Sequence, residues 1–132
     1  WTSLFQRKLG VAVGVMTGET TADARLLANP GVILATPEAW DNLSRRWKKR
    51  RDVREVDLFV ADDLHMVGSS QRPVYEIVVS RMRFISSSTG RPRILGLGTS
   101  VANGEDLAGW IGASKQGCVL NFHPSVRPNR LE

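Results

Sequence analysis

The sequence predicts an α/β fold with a parallel sheet of about five strands and helices on both faces. Five short apolar runs alternate along the chain with amphipathic stretches of helical period, which is the first observation behind this prediction. Within the runs polar and apolar residues do not alternate, as is typical of strands covered on both faces. Strands separated by helices form right-handed crossovers and therefore a parallel sheet. The predicted strands are residues 11–16, 32–35, 58–61, 94–97 and 119–121.

Four helices are predicted between or after these strands, at residues 21–28, 37–50, 73–86 and 103–111. For the second helix, Thr36 is the expected N-cap and Pro37 suits the first helical position. Trp40, Leu43 and Trp47 then recur at helical spacing and predict a buried stripe. In the third helix the predicted inward-facing residues are Val74, Ile77, Val78, Met82 and Ile85.

Length and composition exclude several classes of protein. A chain of 132 residues with 42% hydrophobic and 23% charged residues is one globular domain with a real core. Its single cysteine, Cys118, permits no internal disulfide and no multi-cysteine zinc site, so we expect a reducing intracellular compartment. The apolar runs are too short to span a membrane, and no signal-peptide pattern is present, so we expect no membrane partner.

The positive charge is concentrated in one stretch, residues 45–54. It contains seven of the 18 basic residues and a single acid, Asp52. The net charge of this stretch alone therefore exceeds the net charge of +5 of the whole chain. Such a stretch is compatible with a solvated surface, with nucleic acid or with an acidic protein partner. The residue types alone do not choose among these.

Small polar or acidic residues follow four of the predicted strands. In parallel sheets, ligand-binding residues gather at the carboxyl ends of the strands, so we interpret these four turns as candidate sites. They are Thr17-Gly18-Glu19-Thr20, Thr36-Pro37-Glu38, Asp62-Asp63-Leu64-His65 and Gly98-Thr99-Ser100.

Each turn has a functional and a purely structural interpretation. Asp62 and Asp63 are suited to hold Mg²⁺ and to position a water molecule in a nucleotide hydrolase, or else they cap the next segment. The turns at Thr17 and Thr36 bind phosphate or are plain N-caps. The sequence has no G-x-x-x-x-G-K-[ST] phosphate-binding loop, so we expect no ATP hydrolysis by this chain alone.

Taken together and in order, these motifs resemble the first RecA-like domain of Ski-type DExH RNA helicases of superfamily two, and the resemblance covers essentially the whole chain. The strings behind it are Thr17-Gly18-Glu19-Thr20, Ala35-Thr36-Pro37-Glu38-Ala39-Trp40-Asp41, Ser44-Arg45-Arg46-Trp47-Lys48, Asp62-Asp63-Leu64-His65, and residues 79–86 and 121–128. The resemblance implies a RecA-like domain over residues 1–122, without its first strand and phosphate-binding loop, and a linker toward a second RecA-like domain at 123–132.

The resemblance also implies a role for each turn. RNA-binding residues would be Thr17, Gly18 and Glu19 together with Thr36, Pro37 and Glu38. Asp62 would hold the Mg²⁺ of bound ATP, and His65 would link the nucleotide site to the second RecA-like domain. Gly98, Thr99 and Ser100 would couple hydrolysis to unwinding.

Two residues depart from the family pattern. Asp63 stands where the family has a glutamate that orients the attacking water, and Gly98 stands where it has a serine. A carboxylate one methylene shorter misplaces that water, so we expect feeble turnover or none. We expect ATP and Mg²⁺ only in the full-length protein and no cofactor on this segment alone.

Within the family, the pattern is most similar to the C-terminal cassette of the large tandem-cassette helicases of the spliceosome. This resemblance implies a nuclear protein of pre-mRNA splicing, with small nuclear RNA, other spliceosomal proteins and the adjoining helicase cassette as partners. It also implies that the cassette is a regulatory and protein-docking module. The tandem-cassette helicases of the activating-signal cointegrator complex are one alternative. A pure protein-interaction module, in which the basic stretch docks an acidic partner without RNA or ATP, is the other.

Overall fold

The structure, a computed structural model, describes residues 2–29, 31–70, 73–113 and 118–126. Over these residues the α/β prediction is confirmed, because parallel strands alternate with helices. The elements are α1 (Thr2–Leu9), β1 (Val13–Val15), α2 (Thr20–Leu27), β2 (Val32–Leu34), α3 (Pro37–Ser44), α4 (Arg51–Arg54), β3 (Leu58–Ala61), α5 (Pro73–Thr89), β4 (Arg93–Gly96) and α6 (Gly104–Ile111), with 3-10 turns at Trp47–Lys49, Leu64–Met66 and Pro124–Val126.

The strands form two parallel pairs, β1 with β2 and β3 with β4. Val15 lies opposite Leu34 in the first pair, and Ala61 lies opposite Gly96 in the second. Four of the five predicted strands are therefore present in the part of the chain that the structure describes. The fifth prediction, residues 119–121, is wrong there, because these residues join no strand ladder. Apolar composition favours a strand only where a neighbouring edge is available for pairing.

The predicted helix over residues 37–50 is shorter than expected. α3 ends at Ser44, and the chain continues through a 3-10 turn at Trp47–Lys49 into the short helix α4. A continuous helix would have placed Arg45 beside Lys49 and Arg46 beside Arg50, and like charges four residues apart are destabilising. The break places the Trp47 ring edge-on to Phe84, with ring centroids 6.0 Å apart.

The other helices follow their predictions with two differences. α1 was not predicted, and α5 extends to Thr89 rather than to residue 86. In α5 the buried face includes Tyr75 and Val79, whereas Ile77, predicted to face inward, is 53% exposed. The apolar stripe of this helix is therefore rotated from its predicted position.

The apolar core consists of two clusters that share partly buried neighbours. Its larger cluster contains Met16 after β1, Leu43 of α3 and Met82 of α5. The smaller cluster contains Ala61 of β3 and Ile111 of α6. Phe59 and Ile94 pack against both clusters. Several of these side chains are fully buried, and each such burial stabilises the fold by roughly 1.5–3 kcal/mol.

A buried polar cluster fastens α3 to α5. Arg81 of α5 donates hydrogen bonds of 2.7 Å to Oδ1 of Asp41 and of 2.7 Å to Oγ of Ser44. Arg45 donates to Oδ2 of the same carboxylate over 2.7 Å. The hydrogen bond from Arg45, together with the hydrogen bond and charge of Arg81, holds the pKa of Asp41 below its ordinary value, although burial acts in the opposite direction.

The predicted linker at residues 123–132 is described only in part. Residues 123–126 form a 3-10 turn rather than the expected extended segment, with the N–H of Val126 donating to the carbonyl oxygen of His123 over 3.0 Å. Residues 127–132 lie outside the described residues. Among the described helices, none is long and apolar enough to cross a membrane.

Candidate functional site

An acidic turn follows β3 directly. Asp62 and Asp63 are both exposed, and Oδ1 of Asp62 accepts a hydrogen bond of 3.0 Å from the N–H of Asp63. Asp63 has a φ of 56° and a ψ of 37°, in the left-handed region that few residues other than glycine adopt. Asp is one of the residues that tolerate this conformation. The turn thus bends sharply and leaves both acids at the surface.

The ends of β3 and β4 are connected by main-chain hydrogen bonds. The N–H of Leu97 donates to the carbonyl oxygen of Ala61 over 2.9 Å, and the N–H of Leu64 donates to the carbonyl oxygen of Leu97 over 2.7 Å. These bonds place the acidic turn beside the turn at Gly98, Thr99 and Ser100. The two turns were predicted to meet at the carboxyl edge of the sheet, and in the structure they do.

His65 contacts the second turn of this pair. Its Nδ1 accepts a hydrogen bond of 3.3 Å from the N–H of Thr99, so the neutral ring bears its proton on Nε2. Gly98 lies against the same histidine. A Cβ atom built at Gly98 would be 3.2 Å from the main-chain nitrogen of His65 and 3.3 Å from its Nδ1. His65 therefore occupies the space into which a side chain at position 98 would project.

The turn after β1 is organised by a carboxylate that the sequence analysis did not single out. Asp23, in the first turn of α2, is 2% exposed. Its Oδ1 accepts from the N–H of Thr17 over 2.9 Å, and its Oδ2 accepts from the N–H of Gly18 over 2.9 Å. Gly18 has a φ of +90°, which permits this tight turn. An acid a few residues after a Thr-Gly pair was the signal available in the sequence.

The turn after β2 confirms the predicted helix cap. Thr36 is the N-cap of α3, its Oγ1 accepts from the N–H of Ala39 over 3.3 Å, and Pro37 occupies the first helical position. The N–H of Met16 donates to the carbonyl oxygen of Leu34 over 2.9 Å, so the turns after β1 and β2 are neighbours. The structure thus brings the predicted RNA-binding residues together, and Thr36 and Glu38 are exposed there.

Comparison with known proteins identifies the family. The sequence model of the DEAD/DEAH box helicases matches residues 1–106. This chain belongs to the DEAD/DEAH box helicase family. Over its whole length it is 50% identical to the DExH-box ATP-dependent RNA helicase DExH12 of Arabidopsis thaliana and 47% identical to the human U5 small nuclear ribonucleoprotein 200 kDa helicase. It is 44% identical to subunit 3 of the activating signal cointegrator 1 complex of Gallus gallus. The chain spans about 6% of the length of each of these relatives.

In this helicase-family chain, an open groove borders β4. Its volume is about 1490 Å³, and His65, Thr99, Ser100 and Asn121 are among the residues that line it. Ser100 donates a hydrogen bond of 3.4 Å to Oδ1 of Asn121, which ties the segment after residue 118 to the turn after β4. The acidic pair lies next to this groove rather than in its lining.

The carboxylates of the acidic turn are suitable ligands for a magnesium ion only if other ligands complete its coordination. Mg²⁺ in nucleotide sites is bound by one or two carboxylates, with phosphate oxygens and water completing the shell. Asp62 and Asp63 supply exposed carboxylates, whereas no group of three metal-binding side chains occurs among the described residues. The turn therefore suits an ion that arrives with a nucleotide better than one held by protein alone.

The basic stretch is partly neutralised within the chain. Arg45 pairs with Asp41, Arg50 with Asp52, and Arg51 with Glu55. The hydrogen bond that Arg51 donates to Glu55 raises the pKa of Arg51 above its ordinary value. Of the remaining bases, Lys48 lies over the Trp47 ring, 5.9 Å from its centroid. The surface nonetheless remains positive, because three carboxylates offset only part of its seven bases.

Proposed function

We propose that this chain forms part of the first RecA-like domain of an ATP-dependent RNA helicase that unwinds small nuclear RNA in pre-mRNA splicing in the nucleus. The main support is the pairing of the acidic turn with the turn at residues 98–100 through His65 and Thr99. Family membership and 47% identity to a helicase of the U5 small nuclear ribonucleoprotein add to it. Residues 1–122 belong to the domain and 123–132 to a linker in this proposal.

The nucleotide site is placed at the carboxyl ends of β3 and β4. Asp62 would hold Mg²⁺, and the ion would neutralise negative charge on the phosphates of ATP. Asp63 would stand in for the glutamate that orients the attacking water, and its shorter side chain on a left-handed backbone would make it a poor replacement. His65 would connect the acidic turn to Thr99, whose N–H donates to its Nδ1.

The nucleotide site needs further segments of the polypeptide. Leu95 and Leu97 of the β4 region are 41% and 45% exposed, and Leu120 and Phe122 on the same groove are 74% and 69% exposed. Apolar exposure on this scale beside a strand suits another strand of the same polypeptide. In our proposal that strand leads to the phosphate-binding loop that this sequence lacks.

RNA is proposed to lie across the turns after β1 and β2. The Thr36 hydroxyl accepts from Ala39 and retains its own hydrogen, which is available to a phosphate oxygen at the start of α3. Glu38 and Glu19 flank this path. RNA binding by this surface is what separates a helicase role from a pure docking role of the basic stretch.

We further propose that the cassette is the degenerate C-terminal one of a tandem helicase and that it serves as a regulatory and docking module. Asp63 and Gly98 support this, because each departs from the family pattern: Asp63 has a shorter carboxylate than glutamate, and Gly98 lacks the serine hydroxyl. The alternative is a tandem helicase of the activating signal cointegrator complex, favoured by the 44% identity to its subunit 3. Association with small nuclear RNA in nuclear extract separates the two.

The test is RNA-stimulated ATP hydrolysis by the complete cassette that contains this chain. We expect weak turnover, raised by Asp63→Glu, because the longer carboxylate reaches the attacking water. Asp62→Asn serves as the matched control and should abolish the gain, since it removes the ligand for Mg²⁺. Brisk hydrolysis by the unmodified cassette would refute the degenerate assignment. Absence of nucleotide binding would refute the helicase role of the acidic turn.

A further inference from the structure

The turn at residues 17–19 is occupied by a carboxylate of the same chain, that of Asp23. Asp23 accepts from the N–H groups of Thr17 and Gly18, each over 2.9 Å, and from the Thr17 hydroxyl over 3.4 Å. The N–H of Glu19 donates to the Thr17 hydroxyl oxygen over 3.3 Å. All three N–H groups of the turn are thus engaged within the chain.

This arrangement has a consequence for nucleic acid. Successive main-chain N–H groups of a turn form a concavity that binds phosphate, provided that the N–H groups are free. Here a carboxylate, 2% exposed and stabilised by three hydrogen bonds, fills that position. A phosphate would have to displace it and would meet its negative charge. The turn is therefore closed to phosphate.

The exposed groups that remain are hydrogen-bond acceptors. Thr17 and Glu19 are exposed. The main-chain carbonyl oxygen of Glu19 already accepts from the N–H of Asp23 over 2.9 Å, so the Glu19 carboxylate is the acceptor that can meet a strand. Acceptors pair with donor groups, which in a nucleic acid strand are ribose 2′-hydroxyls and exocyclic amino groups of bases. A neighbouring turn with the opposite character, at Thr36, retains a hydroxyl that can donate to phosphate.

We propose that Asp23 is a positioning and specificity-determining residue, which makes the turn at residues 17–19 read donor groups of the strand rather than its phosphates. The inference rests on the proposed RNA-binding function and deepens it. Asp23 does not touch the strand; it withdraws N–H donors and so leaves acceptors facing outward. Thr36 grips the backbone in either RNA or DNA, and the turn set by Asp23 discriminates between them.

The experiment uses the full-length protein and two homopolymer pairs as probes. Oligouridylate and oligodeoxyuridylate differ in the 2′-hydroxyl and have no exocyclic amino group, so their affinity ratio isolates the ribose. Oligoadenylate and oligodeoxyadenylate add the amino group. We expect Asp23→Asn to lower the ratio of oligouridylate to oligodeoxyuridylate affinity by roughly two- to tenfold, the worth of one hydrogen bond. An effect on both adenylates without one on uridylates would assign the amino group as the donor, which also supports the proposal.

Two further variants keep the test decisive. Glu19→Gln changes an exposed acceptor without disturbing the buried bonds of Asp23, and we expect it to lower the same ratio. Asp57→Asn removes an acid whose side chain is 81% exposed at the start of β3, and we expect no change in the ratio. An equal loss or gain on all four homopolymers for Asp23→Asn and Glu19→Gln would overturn the inference. No binding of any strand by the unmodified protein would overturn the proposed RNA function as well.

Discussion

The hydroxyl of Tyr75 donates a hydrogen bond of 2.5 Å to the main-chain carbonyl oxygen of Asp62. Tyr75 lies in the first turn of α5 and is buried. Its hydrogen bond therefore attaches the main chain of the acidic turn to this helix. The same helix contacts α3 through Arg81 and Asp41. α5 therefore connects the turn proposed to hold the nucleotide with the helix proposed to hold RNA.

We expect Tyr75→Phe to lower the free energy of unfolding by about 1 kcal/mol, because the Asp62 carbonyl oxygen loses its donor. Urea unfolding measures this change through the midpoint and slope. Ser87→Ala is the matched control, since that hydroxyl also donates to a main-chain carbonyl, of Phe84, but at the exposed surface. Water replaces it there, so the control should change stability by less than about 0.5 kcal/mol. Equal effects of the two substitutions would contradict the prediction.

Gly98→Ser is expected to impair the site rather than restore it. The new Cβ lies 3.2 Å from the main-chain nitrogen of His65, so the histidine must shift. This shift weakens the hydrogen bond from the N–H of Thr99 to Nδ1 of His65. ATP turnover by the complete cassette should fall or stay low. Gly109→Ser in α6 is the control, because nothing lies within 4 Å of its Cβ position. A rise in turnover with Gly98→Ser alone would show that the serine hydroxyl outweighs the displaced histidine.

Asp41 should make stability depend on pH. Its pKa is lowered in the folded state by Arg45 and Arg81, so its contribution is present above the unfolded pKa, 3.8, and is lost as pH falls through the folded value. Asp41→Asn should reduce stability at neutral pH by about 1–3 kcal/mol and flatten its decline below pH 3.8. Urea midpoints across that range provide the measurement.

Asp57→Asn is the comparison for this prediction. Asp57 pairs with Arg91, but the two side chains are 81% and 60% exposed, and such pairs contribute little. The acid dependence of stability should therefore survive this substitution. If Asp41→Asn retained the wild-type acid dependence, the cluster would not be its source.

Thr36→Ala is expected to cost about 1 kcal/mol of stability, because the N–H of Ala39 loses its cap. It should also weaken the binding of RNA and DNA alike, since the proposed contact is to phosphate. Thr36→Ser retains the hydroxyl and should preserve both properties. Strand binding that survives Thr36→Ala at full strength would favour the pure docking role of the basic stretch.

How far the sequence predicts this molecule depends on the range of the interactions involved. The cap at Thr36 and Pro37 was predictable because its chemistry is complete within four residues. The end of α3 at Ser44 was not, because it depends on repulsion among arginines and on the distant Phe84 ring. Predicting the fifth strand failed for a related reason, since a strand needs a partner that apolar composition cannot supply.

The candidate site divides in the same way. The meeting of the turns after β3 and β4 followed from parallel topology alone. Asp23 and Tyr75 did not, because each acts through a hydrogen bond to the main chain of a different segment. For Asp23 the Thr-Gly pair a few residues earlier was the one local signal, whereas no local pattern distinguishes the Tyr75 phenol from an ordinary helical residue.

Phe59 and Ile94, which touch both halves of the core, bear on how the molecule opens. Both belong to the β3–β4 pair, which cannot separate from the two clusters without exposing these side chains to water. The halves should consequently melt in one cooperative step, and amides in β1 and β3 should exchange their hydrogens with similar free energies of opening. A ligand that tightened either half would then slow exchange in the other.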